Sequence, residues 1–394
     1  MAFDLVLAGG RVIDPSQNLD RVADVAFAGG KVVRVGDGLG AVAACVHDAS
    51  GRVVTPGLID LHTHVYWGGT SLGVDASALA RSGAVTTFVD TGSAGPGNFA
   101  GFRRHVIEPS PVRIIPYLSV SFAGIYAFSR RVNVGESAEQ RLLSALDAAE
   151  VADANRDVLA GIKVRVGRNA GGTSGIVPLD VALQVADRVG MPIMVHIDEP
   201  PPTLADVLSR LRPGDVLTHA FRPFPNTPAT VDGRVRPEVL AARERGVLFD
   251  IGHGMGSFSF ETGRAMLANG FQPDCISSDV HALCIDGPAF DLLTTMSKFL
   301  CLGMPLAAVV RAATAAPAAA LRRPDLGTFV PGSAGDASIL SLETGSFDYV
   351  DSTGARLTGD TRLTASATII GGRVWSTNRS GTSTDPGDRL DPRR

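Results

Sequence analysis

Apolar positions along the chain fall into two regimes. Within the first 50 residues, short strand-like runs at 4–7, 22–27 and 31–35 alternate with glycine turns, Gly9-Gly10 and Gly29-Gly30. Such spacing predicts hairpins. The turn signature Gly-Gly-Arg/Lys-Val returns at Gly371-Gly372-Arg373-Val374, after strand-like runs at 337–342 and 367–370. Residues 1–53 and 327–375 are therefore expected to pair into one small β-sandwich, a discontinuous domain around the central segment.

From 54 to 326 the pattern changes. Apolar runs centre on Leu58-Ile59, Thr87-Phe88-Val89, Ile114-Ile115-Pro116-Tyr117, Gly161-Ile162-Lys163-Val164, Ile193-Met194-Val195, Val216-Leu217, Val247-Leu248-Phe249 and Cys275-Ile276, each followed by a helix-compatible stretch. Eight such units predict an α/β fold whose main domain is a (β/α)8 TIM barrel. Continuous apolar runs suit strands buried on both faces. A doubly wound open sheet would show the same alternation and is the structural alternative. Residues 376–394 hold a single aliphatic side chain, Leu390, amid Ser, Thr, Asp, Pro and Arg. They cannot offset their ordering entropy and are expected to be a disordered tail.

Composition narrows the function. With 394 residues, 45% hydrophobic and 19% charged, the chain can bury a large core. A net charge of −4 leaves no basic surplus for phosphates, so nucleic acid is not an expected partner. The longest apolar stretch, 302–321, is broken by Pro305, Arg311 and Pro317, and the first residues lack a signal-peptide pattern. A cytoplasmic protein with no membrane segment is expected, acting on a small-molecule substrate, with a homo-oligomer left open. Cys45, Cys275, Cys284 and Cys301 form no C-x-x-C pair and are expected to be free thiols. Of 36 basic residues only Lys31, Lys163 and Lys298 are lysine.

The strongest chemical signal is Pro56-Gly57-Leu58-Ile59-Asp60-Leu61-His62-Thr63-His64, at the end of the first barrel strand. Residues two apart on a strand share a face, so His62 and His64 converge at the end where barrel active sites lie. Three further strands end in His196, His219 and Asp279. Singly, either histidine reads equally well as a hydrogen-bonded core residue, and Asp279 as a helix N-cap. Together they describe one metal shell. Lys163 stands in an apolar strand of an arginine-preferring chain, which suggests chemistry a guanidinium cannot do. A buried amine loses its proton readily, and with CO2 becomes a carbamate able to bridge two cations.

With these motifs in place the chain resembles the amidohydrolase superfamily, in particular its binuclear members with a carboxylated lysine. The resemblance implies two divalent metal ions, usually zinc: His62, His64 and Asp279 on one, His196 and His219 on the other, and carboxylated Lys163 between them. It implies a metal-bound hydroxide that attacks an amide or ester carbonyl, with Asp279 as the catalytic proton carrier.

Flanking residues bear on the branch. Dihydroorotases typically carry an arginine just after the His-x-His pair, whereas this chain continues Val65-Tyr66-Trp67-Gly68-Gly69-Thr70. The motifs Gly161-Ile162-Lys163-Val164-Arg165, His196-Ile197-Asp198-Glu199-Pro200-Pro201, Phe249-Asp250-Ile251-Gly252-His253-Gly254 and Ser278-Asp279-Val280-His281 look like a deacetylase-type subgroup. The expected reaction is deacylation of a small carboxylate-bearing N-acyl or O-acyl compound. Cyclic amide hydrolysis, of dihydroorotase or hydantoinase type, is the alternative, and a non-catalytic scaffold a more distant one. Arg165 and Arg168 are candidates for a substrate carboxylate, and Tyr126, His253 and His281 for the pocket rim.

Overall fold

The computed structural model describes residues 3–377. Seven parallel strands, Leu58–Thr63, Val85–Thr91, Arg113–Ser119, Gly161–Val166, Ile193–Ile197, Val216–Leu217 and Leu248–Phe249, hydrogen-bond in sequence order into one sheet. Their residues are nearly all buried, as continuous apolar runs require. Helices cover the outer face through apolar stripes. In Val177–Val189, Leu179, Ala182, Val185, Ala186 and Val189 recur at three- and four-residue spacing and are buried; Pro178 stands in its first turn and Gly190, at φ +67°, ends it.

The last predicted unit departs from the pattern. Residues 275–280 form no ladder: Cys275 makes a single parallel bridge to Asp250, and Val280 one to Thr63. Its backbone still bonds both neighbours, Gly254 N–H donating to the Ser278 carbonyl at 2.9 Å and Asp279 N–H to the His62 carbonyl at 2.7 Å, while other groups of the segment turn elsewhere. Ser278 N–H donates to the Asp60 carboxylate at 2.9 Å, and Ile276 N–H to the Ala312 carbonyl at 2.9 Å. The segment thus touches both edges of a curled parallel sheet.

Both chain ends join a second, mixed sheet in the order Arg373–Thr377, Arg356–Ile370, Ala337–Val350, Val53–Pro56, Leu5–Asp14, Leu19–Ala28, Lys31–Gly36, with Val46–Asp48 also paired to Leu5–Asp14. In its hydrogen bonding this is one eight-stranded sheet rather than the two facing sheets of a sandwich. The reason lies in Leu5–Asp14, which pairs along one side with Leu19–Ala28 and divides its other side between Val46–Asp48 and Val53–Pro56. The expected boundary after residue 53 falls early, since Val54, Thr55 and Pro56 pair with Ile339, Ser338 and Ala337. Ser376 and Thr377, assigned above to the tail, belong to the last strand. The rest of that predicted tail, 378–394, lies outside the described residues.

Packing fixes where a site can form. Ile59, Val89, Ile115, Tyr117, Met194 and Val216 cluster with Ala318, Ala320, Leu321 and Leu326, filling the inside of the parallel sheet toward the strand starts. Met194 belongs to this plug, and His196, two residues on, shares its face nearer the strand end. The terminal sheet is tied to the other domain through helix Leu292–Cys301, where Leu363 N–H donates to Ser297 Oγ at 2.9 Å and Tyr349 and Leu363 join the main core. Among the described residues no helix is long and apolar enough to cross a membrane.

Candidate metal centre

Four imidazoles converge at the strand ends in a continuous arc. Ring centroids are 5.6 Å apart for His64 and His62, 5.1 Å for His62 and His219, and 4.4 Å for His219 and His196. Each ring has one nitrogen held. His62 Nδ1 lies 2.8 Å from Thr218 Oγ1, whose own proton goes to Asp250 Oδ2 at 2.7 Å, so Nδ1 carries the hydrogen. His219 Nδ1 donates to the Gly252 carbonyl at 2.7 Å. His64 Nδ1 lies 2.9 Å from Ser93 Oγ, and His196 Nε2 lies 3.4 Å from Asp198 Oδ2. Partners of this kind fix ring orientation and tautomer, leaving the second nitrogen as a lone-pair donor.

Asp279 completes the nearest group. Its Oδ1 is 3.3 Å from His62 Nε2 and 3.2 Å from His64 Nε2, and donor atoms of the three residues all lie within 4.8 Å of one another. Burial sets the protonation. It holds His62, His196 and His219 well below the ordinary histidine range, moves His64 down to about 3, and raises the Asp279 carboxyl to about 6. Neutral rings beside a carboxylate are what a divalent cation needs.

Lys163, on the fourth parallel strand, is wholly buried, and its Nζ has no hydrogen-bond partner among the described residues. Burial lowers its pKa to about 7, and its charge is felt by all four rings. Its stem passes close to Gly92, where an added Cβ would stand 2.7 Å from Lys163 Cγ at a backbone φ of +83°.

Two of these residues sit on strained backbone. His219 has φ +63° and Asp279 φ +48°, values uncommon for residues with a Cβ. Asp279 is pressed by Gly254, where an added Cβ would lie 2.2 Å from Oδ2. Such strain persists where surrounding contacts over-determine it, as they do here.

The rings line a cleft of about 190 Å3 together with Asp279, Arg165 and His281. Arg165 is buried and bonds Glu136 Oε2 at 3.2 Å, with its guanidinium 5.2 Å from the Phe128 ring. His281 lies between His64 and Phe128, with centroids at 6.0 and 5.9 Å. Three residues expected to meet the substrate, Arg168 at its carboxylate and Tyr126 and His253 at the rim, stand elsewhere. Arg168 is exposed and outside the lining, because strand four has ended and its N–H is tied to the Glu199 carbonyl. Tyr126 is 59% exposed beside Gly68–Ser71 and lines a separate surface hollow. His253 points away into the core, where Nδ1 donates to the Gly254 carbonyl at 2.9 Å and Nε2 accepts from Lys298 Nζ at 2.8 Å. Sequence reasoning passed over Arg222 and Phe128 in the lining and Glu136 behind it. Arg222, three residues after His219, was the one with a usable signal.

No family model matches the chain. A deacetylase of Agrobacterium fabrum is 35% identical over 329 residues, covering 82% of this chain and 79% of that protein. The crystal structure of an adenine deaminase superposes with a TM-score of 0.87 at 27% identity, covering 95% of this chain and all (100%) of that one. A dihydroorotase structure gives a TM-score of 0.85 at 31% identity, covering 96% and 100%.

Proposed function

Because the chain belongs to the amidohydrolase superfamily, we propose that this cleft is the active site of a metal-dependent deacylase acting on a small carboxylate-bearing N-acyl or O-acyl compound. The coarser activity, a hydrolase acting on C–N bonds, rests on the superfamily itself. The observation that carries the finer reading is the arc of four neutral imidazoles, each with one nitrogen held and the other free, around Asp279 and the unpartnered Lys163 Nζ. We read 275–280 as the eighth strand position of a closed barrel, since it bridges both edges of the parallel sheet.

The donor set fits two divalent cations. His62, His64 and Asp279 would hold one and His196 and His219 the other; imidazole-rich donors suit zinc. Lys163 would lie between them as a carbamate. Addition of CO2 to the amine releases a proton and turns an orphaned buried Nζ into an anion, which matches the need of a site with neutral rings and one carboxylate. When bound, the cations make water acidic enough to supply a nucleophile near neutral pH and polarise the scissile carbonyl.

The remaining work falls to the protein. Thr218 and Gly252 keep His62 and His219 in the Nδ1–H tautomer. Asp279, with its pKa raised to about 6, can take the proton of the attacking water on a carboxylate oxygen and hand it to the leaving nitrogen or oxygen. Arg165 and His281 orient the substrate from the cleft wall. A panel of N-acetyl amino acids, O-acetyl hydroxy acids, lactones and cyclic ureides, run on zinc-reconstituted protein, tests this reading. Turnover of the open-chain acyl compounds is expected; turnover of the ring substrates alone would overturn it.

A further inference from the structure

We propose that Arg222 is the principal anchor of a carboxylate subsite in this cleft, with Arg165 as its second arm. The inference rests on the deacylase reading only for which molecule carries the carboxylate.

Arg222 is a buried guanidinium that makes no ion pair among the described residues, although the charges of Asp198 and Glu199 reach it from beyond contact. It is 6% exposed and lines the cleft beside His196 and His219. Its Nε donates to the Pro225 carbonyl at 3.2 Å, and Nη1 to the Ile197 carbonyl. Backbone carbonyls orient the fork without neutralising it, and Nη2 has no partner among the described residues. The two acids whose charges reach it keep their oxygens on other partners or in solvent. Asp198 spends Oδ1 on Asn169 N–H and Oδ2 on Ala170 N–H, each at 3.0 Å, and Glu199 is exposed. Arg165 differs, since Glu136 already bonds it.

A buried cation that no anion contacts is costly, because an ion withdrawn from water loses its hydration. The orientation of this one is fixed by two carbonyls at the cleft wall, so the missing charge can come from the ligand. A carboxylate matches the planar fork, and a neutral amide offers no charge. Leu72, Phe128 and Met255 give the same cleft an apolar side for the rest of the molecule.

Calorimetric titration of the metal-loaded enzyme with benzoate, benzamide and inorganic phosphate tests the subsite in the parent protein, R222Q and R222K, with thermal unfolding to verify the fold. Benzoate is expected to bind about tenfold or more weakly to R222Q, with R222K between, while the benzoate-to-benzamide affinity ratio collapses. Because benzoate can also meet the metals directly, the readout is the difference between parent and variant. Unchanged benzoate affinity in R222Q, an equal loss for benzamide, or an Arg222 dependence confined to phosphate would overturn the proposal. Should R222Q fail to fold, R222K decides, since a lysine that binds benzoate as well as the parent removes the need for the fork. An enzyme that turns over no acyl compound yet binds benzoate through Arg222 would refute the deacylase reading and leave the subsite standing.

Discussion

Two buried lysines in this molecule share a displaced basicity and differ in everything around them. Lys163 and Lys298 are each pushed down to about 7, chiefly by burial. Lys298 is satisfied: its Nζ donates to His253 Nε2 at 2.8 Å and to the Pro288 carbonyl at 2.7 Å. Lys163 has no partner for its Nζ. A lowered pKa alone therefore does not mark a reactive lysine. What separates the two is whether the polar group has been answered, because a buried polar atom left unpaired costs about 1–3 kcal/mol and persists only where something else justifies it. Lys298 braces structure, through His253 and the loop whose Gly252 carbonyl fixes His219. Lys163 faces the rings.

Replacing each lysine by methionine should separate the roles. K163M is expected to lose about a thousandfold or more in kcat and most of its bound metal, while metal-free K163M unfolds no more easily than the parent, since an orphaned amine has been exchanged for an apolar chain of similar length. Elemental analysis and thermal unfolding check both halves. Retained metal with retained turnover in K163M would dissolve the distinction between the lysines.

Asp279 sharpens the same contrast from the carboxylate side. D279N keeps the shape and a neutral oxygen near His62 and His64 but cannot carry a proton. A kcat loss of about a hundredfold or more is expected, with substantial metal still bound. Undiminished kcat in the metal-loaded variant would remove Asp279 from proton transfer and leave it a ligand alone.

The parts legible in the sequence were those with a period or a pair behind them. Seven of the eight strand centres lie in ladders because a strand buried on both faces must be a continuous apolar run. The eighth, at Cys275-Ile276, was apolar too, but Ile276 N–H turns to the Ala312 carbonyl and Ser278 N–H to the Asp60 carboxylate, which leaves single bridges to its neighbours in place of a regular ladder. His62, His64, His196, His219 and Asp279 end strands or strand-like segments, so their convergence followed from the topology. Loop residues carry no such rule. His253 and Tyr126 follow strands as plausibly as His281 does, yet one turns into the core and one to the surface. Lys298 was singled out by rarity along with Lys163, and only three-dimensional packing shows that His253 answers it. Arg222 had only its place three residues after His219 to recommend it, because its significance lies in the ion pair it does not make among the described residues.

K298M should be the mirror image of K163M. His253 Nε2 loses its donor in the core, so a stability loss of about 1–3 kcal/mol is expected, with metal retained and kcat lowered only severalfold. Denaturant titration with parallel metal analysis tests it. A K298M protein as stable as the parent would mean that the Lys298–His253 bond does not brace the loop.

The last effect lies in pH, and its sign can be worked out. The folded pKa of Lys298 is lowered to about 7 from 10.5, so between those values the unfolded chain binds a proton that the folded one does not. Stability attributable to this residue then rises with pH through that window, by at most about 1.4 kcal/mol per pH unit, and is flat below it, where both states are protonated. Other groups titrate in the same range, including Cys275 and Cys284, whose thiols burial pushes upward and whose effect is opposite in sign. The difference between parent and K298M cancels them. That difference should move in favour of the parent from pH 7 to pH 9. A difference independent of pH would place the folded-state pKa of Lys298 near its ordinary value and leave Lys163 as the buried amine of lowered basicity in the comparison.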